Sequence, residues 1–283
     1  MLAQGSDVVA VLSPSGSTAR VADIVADITV VRADLSSAEL DRLVIDARPD
    51  TCIHLAWYVD PHRYLTATQE NLAALVTGVR LLAALDAASC PRTVLAGTCL
   101  EGVEAAGVVE GATEEPIYAA AKGALHRVGM RLSVTAVACA HIFSLYGPGE
   151  KGGRVVPQVI RACLEGRPID VSSGEQERDF LHVEDVAAGI VSLANTDLRG
   201  GIDICSGKAI QLREVFGAIA AATGRPDLIN LGALQHAPGE PRRIAGDNTV
   251  LRGTGWQVTR TLRDGVRETV DWWRSELHLE GNS

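Results

Sequence analysis

Short apolar runs rich in β-formers alternate with longer helical patterns through the first two-thirds of this chain, and no other feature limits its fold as much. Asp7–Leu12 (DVVAVL), Ile28–Val31 (ITVV), Thr51–Ala56 (TCIHLA), Thr93–Thr98 (TVLAGT) and Val134–Phe143 (VTAVACAHIF) read as strands. Between them, Ser36 and Glu39 form an S-x-x-E box that opens a helix with Leu40, Leu43 and Val44 on one face. Glu70–Ala88 is a long Ala/Leu helix interrupted only by Gly78. Strand, helix, strand in this rhythm predicts an α/β fold: a doubly wound parallel sheet with helices on both faces. Such sheets hold their ligands at the carboxyl ends of the strands.

The texture changes after Gly147. Shorter elements follow: a helix near Val155–Glu165, a strand and helix at Asp179–Ala194, a strand at Gly201–Cys205, and helices at Leu212–Thr223 and Leu262–Glu276. This predicts a dinucleotide-binding domain over 1–150 and a smaller, mixed substrate lobe over 151–283. The net charge of −9 argues against a nucleic-acid binder, which needs a basic face. No run of about 18 apolar residues is present to span a membrane. The opening MLAQGSDVVAV lacks the charged and apolar regions of a signal peptide. The six cysteines show no CxxC pair and no metal-ligand spacing. They read as buried thiols of a cytoplasmic protein, with no metal site expected.

Lysine is scarce: Lys122, Lys151 and Lys208 stand against 23 arginines. Tyr118 and Lys122 sit four apart in YAAAK, a spacing that puts phenol and ammonium on one helix face. A nearby cation stabilises a phenolate and makes tyrosine a usable proton donor or acceptor near neutrality. Thr98, twenty residues upstream, ends a parallel strand with a hydroxyl able to hydrogen-bond a carbonyl.

These residues resemble the extended short-chain dehydrogenase/reductases, or NAD-dependent epimerase/dehydratases, which act mostly on nucleotide-sugars. The similarity runs over nearly the whole chain. It rests on DVVAVLS, Asp34-Leu35, HLAW at His54–Trp57, Asn71, AGTCLEG, YAAAK, LYGPG, RDFLHVEDVA at Arg178–Ala187, CSGKAIQLREV and a late TGW. The resemblance implies Tyr118 as general acid/base, Lys122 on the nicotinamide ribose and Thr98 orienting the substrate oxygen. It also implies cofactor contacts from Asp34, Leu35, Leu55, Ala56, Trp57 and Asn71. Substrate contacts fall to Ser144, with Arg178 and Arg242 clamping a nucleotide diphosphate. His141 and Ser144 depart from the Arg and Asn common in the family.

Other departures bear on function. The family opens on a strand and a GxxGxxG turn, and this sequence resembles a member short of roughly two dozen such residues. If so, the chain binds its cofactor weakly, and DVVAVL either pairs with TCIHLA or stays partly loose. Gly147–Gly152 fits G-x-G-x-x-G, but Pro148 offers no N–H to a phosphate. Cys99 and Leu100 stand where family dehydratases carry Asp and Glu, which leaves a reductase or an epimerase. HLAWYVDPHRYL followed by AGTCLE is more similar to the 4-ketoreductases of deoxysugar pathways than to the galactose-type epimerases. The expected reaction is therefore NAD(P)H-dependent reduction of a nucleotide-linked 4-keto-6-deoxy sugar. The alternatives are an epimerase and a non-catalytic member. Ser13, with Arg20 near, suits a 2′-phosphate and favours NADP(H) over NAD(H). Leu72, Leu75, Val79, Leu82 and Leu85 make the long helix apolar on more than one face, which with the family's habit implies a homodimer.

Overall fold

The protein is described by a computed structural model over residues 1–101, 109–110, 115–236 and 239–280. In chain order the first part runs β1 (Val9–Leu12), β2 (Thr29–Arg32), α1 (Glu39–Ala47), β3 (Thr51–His54), α2 (Thr68–Ala87), β4 (Arg92–Ala96), β5 (Val109–Glu110), α3 (Ile117–Gly129), β6 (Ala136–Ile142) and β7 (Ser144–Tyr146). The rest runs α4 (Val155–Leu164), β8 (Ile169–Val171), β9 (Glu177–His182), α5 (Val183–Ala194), β10 (Gly200–Ile204), β11 (Ala209–Gln211), α6 (Leu212–Thr223), β12 (Ile229–Leu231), β13 (Arg243–Ile244), α7 (Thr249–Arg252) and α8 (Leu262–Glu280).

β4 and β6 are mostly apolar and largely buried on both faces, as strands covered twice are. They form the middle of a parallel sheet in the order β10-β6-β4-β3. On one face, Leu82 of α2 and Leu125 of α3 pack with Leu95, Val137 and Cys139. On the other, Val186, Ile190 and Leu193 of α5 pack with Val94, Ala138 and Ile204. This is the doubly wound arrangement the alternation predicts. α5 and β10, which lie beyond residue 150, complete this sheet and its second face.

β1 and β2 pair in parallel, Val9 opposite Thr29 and Leu12 opposite Arg32. β1 does not pair with β3, so the direct pairing of DVVAVL with TCIHLA is not observed, and β1 keeps β2 as its one strand neighbour among the described residues. Val9 and Val11 are correspondingly exposed. The S-x-x-E box at Ser36 does not form. Asp34 captures Ser36 instead, accepting from its N–H (2.9 Å) and its hydroxyl (2.7 Å). Ser37 accepts from the Glu39 N–H in its place.

The smaller lobe has its own core, built by α4, α6 and α8 around Ile160, Val215, Phe216, Ile219, Val266 and Val270. Its mixed sheet runs β11-β9-β13-β5, with β7 also on β9. Trp273 belongs to that core and meets Trp272 edge to face at 4.9 Å, so the tryptophan pair packs the last helix. Among the described residues, no helix is long and apolar enough to cross a membrane.

Candidate active site

Pro116, in an extended conformation, ends the approach to α3 and starts the helix one residue before Tyr118. That placement puts Tyr118 in the first turn and Lys122 in the second, on the inner face. Tyr118 is buried, with Tyr64 edge-on to its ring at 4.9 Å and Trp57 at 6.5 Å. The Lys122 ammonium donates to the carbonyl of Ala96, the last residue of β4. It lies 4.7 Å from the Trp57 ring centre and 5.3 Å from that of Tyr118. Thr98 is buried two residues past β4; its N–H donates to Glu101 Oε1 at 2.8 Å. The three expected residues therefore converge where β4 meets α3.

Their electrostatics differ from the expectation. Burial, not a cation, dominates Tyr118 and pushes its hydroxyl above the ordinary tyrosine range; Arg154 is the cation that opposes the shift. Lys122 faces the ring and spends its charge on Ala96, and burial lowers it to about 8. Behind Thr98, burial raises the Glu101 carboxyl, yet His126 and His141 outweigh it and hold Glu101 at about 2.

A cavity of about 360 Å³ opens at the carboxyl ends of β1, β2 and β3, lined by Ser13, Asp34, Leu35, Ala56 and Trp57 among others. Ser36 lowers the Asp34 carboxyl, so its charge is kept. His54 forms part of the wall; burial and then Lys122 push it down to about 4. Its Nε2 is buried without a hydrogen-bond partner among the described residues. Strand ends, a carboxylate and an unused imidazole nitrogen fit the adenosine part of a nicotinamide dinucleotide.

Of the expected cofactor residues, Tyr118 and Lys122 lie at the β4–α3 junction instead, and Leu55, Asn71 and Arg20 also do not line this cavity. Leu55 is exposed beside it. Asn71 is fully buried and its amide is spent: Oδ1 accepts from Trp57 Nε1 at 2.8 Å, and Nδ2 donates to the carbonyls of Tyr64 and Ala67. Asn71 thus anchors the loop that carries Trp57 and Tyr64 to Tyr118. Arg20 donates to the Gly149 carbonyl at 2.7 Å, so its guanidinium is turned away from Ser13's cavity.

On the substrate side, Arg178 donates to Glu240 at 3.0 Å; burial lowers its guanidinium, and Glu240 opposes that shift. Arg242 is exposed; its carbonyl accepts from the Glu177 N–H, which holds it beside Arg178's strand. Ser144 is half-buried at the start of β7. The turn at Gly147–Gly152 presents a carbonyl, that of Gly149, to Arg20. A Cβ on Gly147 would lie 2.5 Å from Val183 Cγ1, so that glycine serves close packing.

Sequence reasoning missed Tyr64, Arg154 and Glu150. Arg154 caps α4 and donates to the Tyr64 hydroxyl at 3.3 Å. Burial raises the nearby Glu150 carboxyl to about 7. No local pattern marks them; only the tertiary fold brings 64, 118 and 154 together.

The model of the NAD dependent epimerase/dehydratase family matches residues 1–204. A UDP-glucose 4-epimerase of Mycolicibacterium smegmatis is 30% identical over 268 residues, 87% of this chain and 83% of that protein. A dTDP-4-dehydro-6-deoxy-D-allose reductase of Streptomyces sp is 27% identical over 136 residues, 46% of this chain. The matched stretch spans only 41% of that reductase's own length. Among solved structures, MoeE5 in complex with UDP-glucose and NAD superposes with a TM-score of 0.76 at 26% identity, covering 98% of this chain and 93% of that one.

Proposed function

Because this chain belongs to the NAD-dependent epimerase/dehydratase family, a family of enzymes, we propose that it reduces the 4-keto group of a nucleotide-linked 6-deoxy sugar. The observation that carries this reading is the convergence of Thr98, Tyr118 and Lys122 beside Cys99 and Leu100, residues unsuited to eliminating water. A bound nicotinamide supplies the hydride. Thr98 holds the substrate carbonyl by its hydroxyl, and Tyr118 delivers the proton to the oxygen as negative charge develops there. Lys122 orients the cofactor ribose next to them. Tyr64 and Trp57 wall the Tyr118 ring and keep water from it. Arg178 and Arg242 take the diphosphate; for Arg178 this means exchanging Glu240 for phosphate oxygens.

The larger, N-terminal part holds the dinucleotide and the smaller lobe the sugar nucleotide. A preference for NADP(H) keeps only Ser13 in its support, because Arg20 is engaged elsewhere. Asp34 and Glu70 line the cavity, and MoeE5 was solved with NAD. We therefore favour NAD(H). A second copy of the chain covers Leu72 and Val76 of α2, both well exposed, which makes a homodimer. Six unpaired cysteines support a reducing, cytoplasmic setting.

An epimerase is the second reading, favoured by the likeness to the mycobacterial enzyme over most of the chain. The test adds a dTDP-4-keto-6-deoxyhexose to the protein and NADH and follows reduced cofactor. A reductase consumes one NADH per sugar. Interconversion of UDP-glucose and UDP-galactose without net NADH loss would overturn the reductase reading in favour of the epimerase.

A further inference from the structure

Four potential metal ligands meet behind the catalytic strand end. Glu101 follows Thr98 by three residues, and His126 lies one turn beyond Lys122 on α3. Cys139 and His141 are two apart on β6 and so share a face. One donor atom from each side chain falls within 4.8 Å of all the others. Glu101 Oε2 is 3.4 Å from His126 Nδ1 and 3.5 Å from His141 Nε2. Cys139 Sγ is 3.8 Å from both Glu101 oxygens. A tetrahedral zinc ion, with bonds of about 2.0–2.1 Å to nitrogen or oxygen and about 2.3 Å to sulfur, needs donors roughly 3.3–3.6 Å apart. The observed spacings need only small side-chain adjustments to match.

The surroundings are built for the cluster. The Glu101 side chain is 4% exposed, and Cys139 is buried. Asp203 Oδ1 lies 3.3 Å from His141 Nδ1, the carboxylate–imidazole contact that turns the opposite nitrogen of a histidine toward a metal. That opposite nitrogen, His141 Nε2, points into the cluster and is buried; it is ion-paired to Glu101 Oε2 at 3.5 Å but makes no aligned hydrogen bond among the described residues. Two glycines keep the space clear. A Cβ on Gly97 would sit 2.5 Å from Cys139 Sγ and 2.6 Å from Glu101 Oε1, and one on Gly201 would collide with the His141 ring.

We propose that Glu101, His126, Cys139 and His141 bind one thiophilic divalent cation, best matched by Zn²⁺. A mixed Cys/His/carboxylate set selects such an ion over Mg²⁺ or Ca²⁺, which prefer oxygen. All four positions are filled by protein, so the ion braces the fold and activates no water. Its reach is nonetheless functional. Glu101 also accepts from the Thr98 N–H, so the ion ties the loop carrying Thr98 to the helix carrying Tyr118 and Lys122.

The test is a spectroscopic titration of the full chain, stripped with chelator, using Co²⁺ and then Zn²⁺. Expected are one Co²⁺ per chain, intense tetrahedral bands, a thiolate-to-cobalt charge-transfer band, and displacement by Zn²⁺. Cys139→Ser removes the charge-transfer band, and His126→Gln weakens Co²⁺ at least tenfold, both with the circular dichroism of the native fold. Cys139 is buried and its variant can fail to fold; His126, partly exposed, then supplies the comparison. Weak octahedral bands, no charge transfer in the wild type, or a spectrum unchanged by both substitutions would overturn the proposal and leave the cluster as a proton-filled ion-pair network.

Discussion

Replacing Lys122 with methionine separates the burial of its charge from its chemistry. Lys122 is 6% exposed, and burial drops its ammonium from 10.5 to about 8. Between about pH 8 and 10.5 the unfolded chain keeps a proton that the folded chain has released. The unfolded state binds more protons there, so stability rises with pH through that window and is flat below it. At about 1.4 kcal/mol per pH unit, the rise due to this one group is about 3 kcal/mol. Methionine keeps an apolar stem against Trp57 and has nothing to titrate. The assay is urea unfolding of wild type and Lys122→Met from pH 7 to pH 10.5, read as the difference in unfolding free energy at each pH. Subtraction cancels the titration of other groups. Wild type gains about 3 kcal/mol on the variant as pH rises, while the variant has lost turnover at every pH. A difference that stays flat, or falls, refutes the burial of this ammonium between β4 and Trp57 and the reasoning built on it.

Asn71→Ala strips partners from the Trp57 indole N–H and from the Tyr64 and Ala67 carbonyls. The Ala67 carbonyl keeps the backbone N–H of residue 71, so two buried groups are left unsatisfied at about 1–3 kcal/mol each, and thermal denaturation records a loss of at least about 2 kcal/mol; under 1 kcal/mol would mean that the loop does not hang on Asn71. Arg178→Leu raises the KM for the sugar nucleotide at least tenfold and leaves the KM for NADH within about threefold, about 1.4 kcal/mol of phosphate recognition, in steady-state kinetics; equal effects on both would remove Arg178 from the diphosphate. Wild type uses NADH with a kcat/KM at least equal to that for NADPH, and Ser13→Asp widens the gap by repelling the 2′-phosphate; a clear NADPH preference would show that Ser13 outweighs Asp34 and Glu70.

Periodicity made the doubly wound sheet legible. The apolar runs that become β4 and β6 have no polar face, and only a twice-covered parallel strand needs that. Tyr118, Lys122 and Thr98 were legible for a different reason: one helical turn and one strand end fix where their side chains go, whatever the remaining packing. What escaped depended on contacts far apart in sequence. The family resemblance implies Asn71 as a cofactor ligand, but its amide is spent on Trp57, Tyr64 and Ala67. Arg20 reads as a phosphate ligand by its nearness to Ser13, yet it reaches 129 residues along the chain to Gly149. The acidity of Tyr118 was misjudged because spacing shows a neighbouring cation and not the loss of water around the phenol. The Glu101, His126, Cys139 and His141 cluster draws on three separate segments, so no spacing rule could collect it.

In the proposed reaction, Tyr118 protonates the oxygen of a 4-keto sugar as hydride arrives at C4. Phenylalanine at 118 keeps the ring that Tyr64 and Trp57 hold edge-on, so the fold and the cofactor site persist while the transferable proton is lost. The measurement uses NADH deuterated at the transferring position, a dTDP-4-keto-6-deoxyhexose, and mass and NMR analysis of the sugar. Wild type places one deuterium at C4. Tyr118→Phe turns over at least a hundredfold more slowly, about 3 kcal/mol or more in barrier, at nearly unchanged NADH affinity. Tyr118→Phe retaining more than a tenth of wild-type kcat, or product without deuterium at C4, would contradict the proposed reaction.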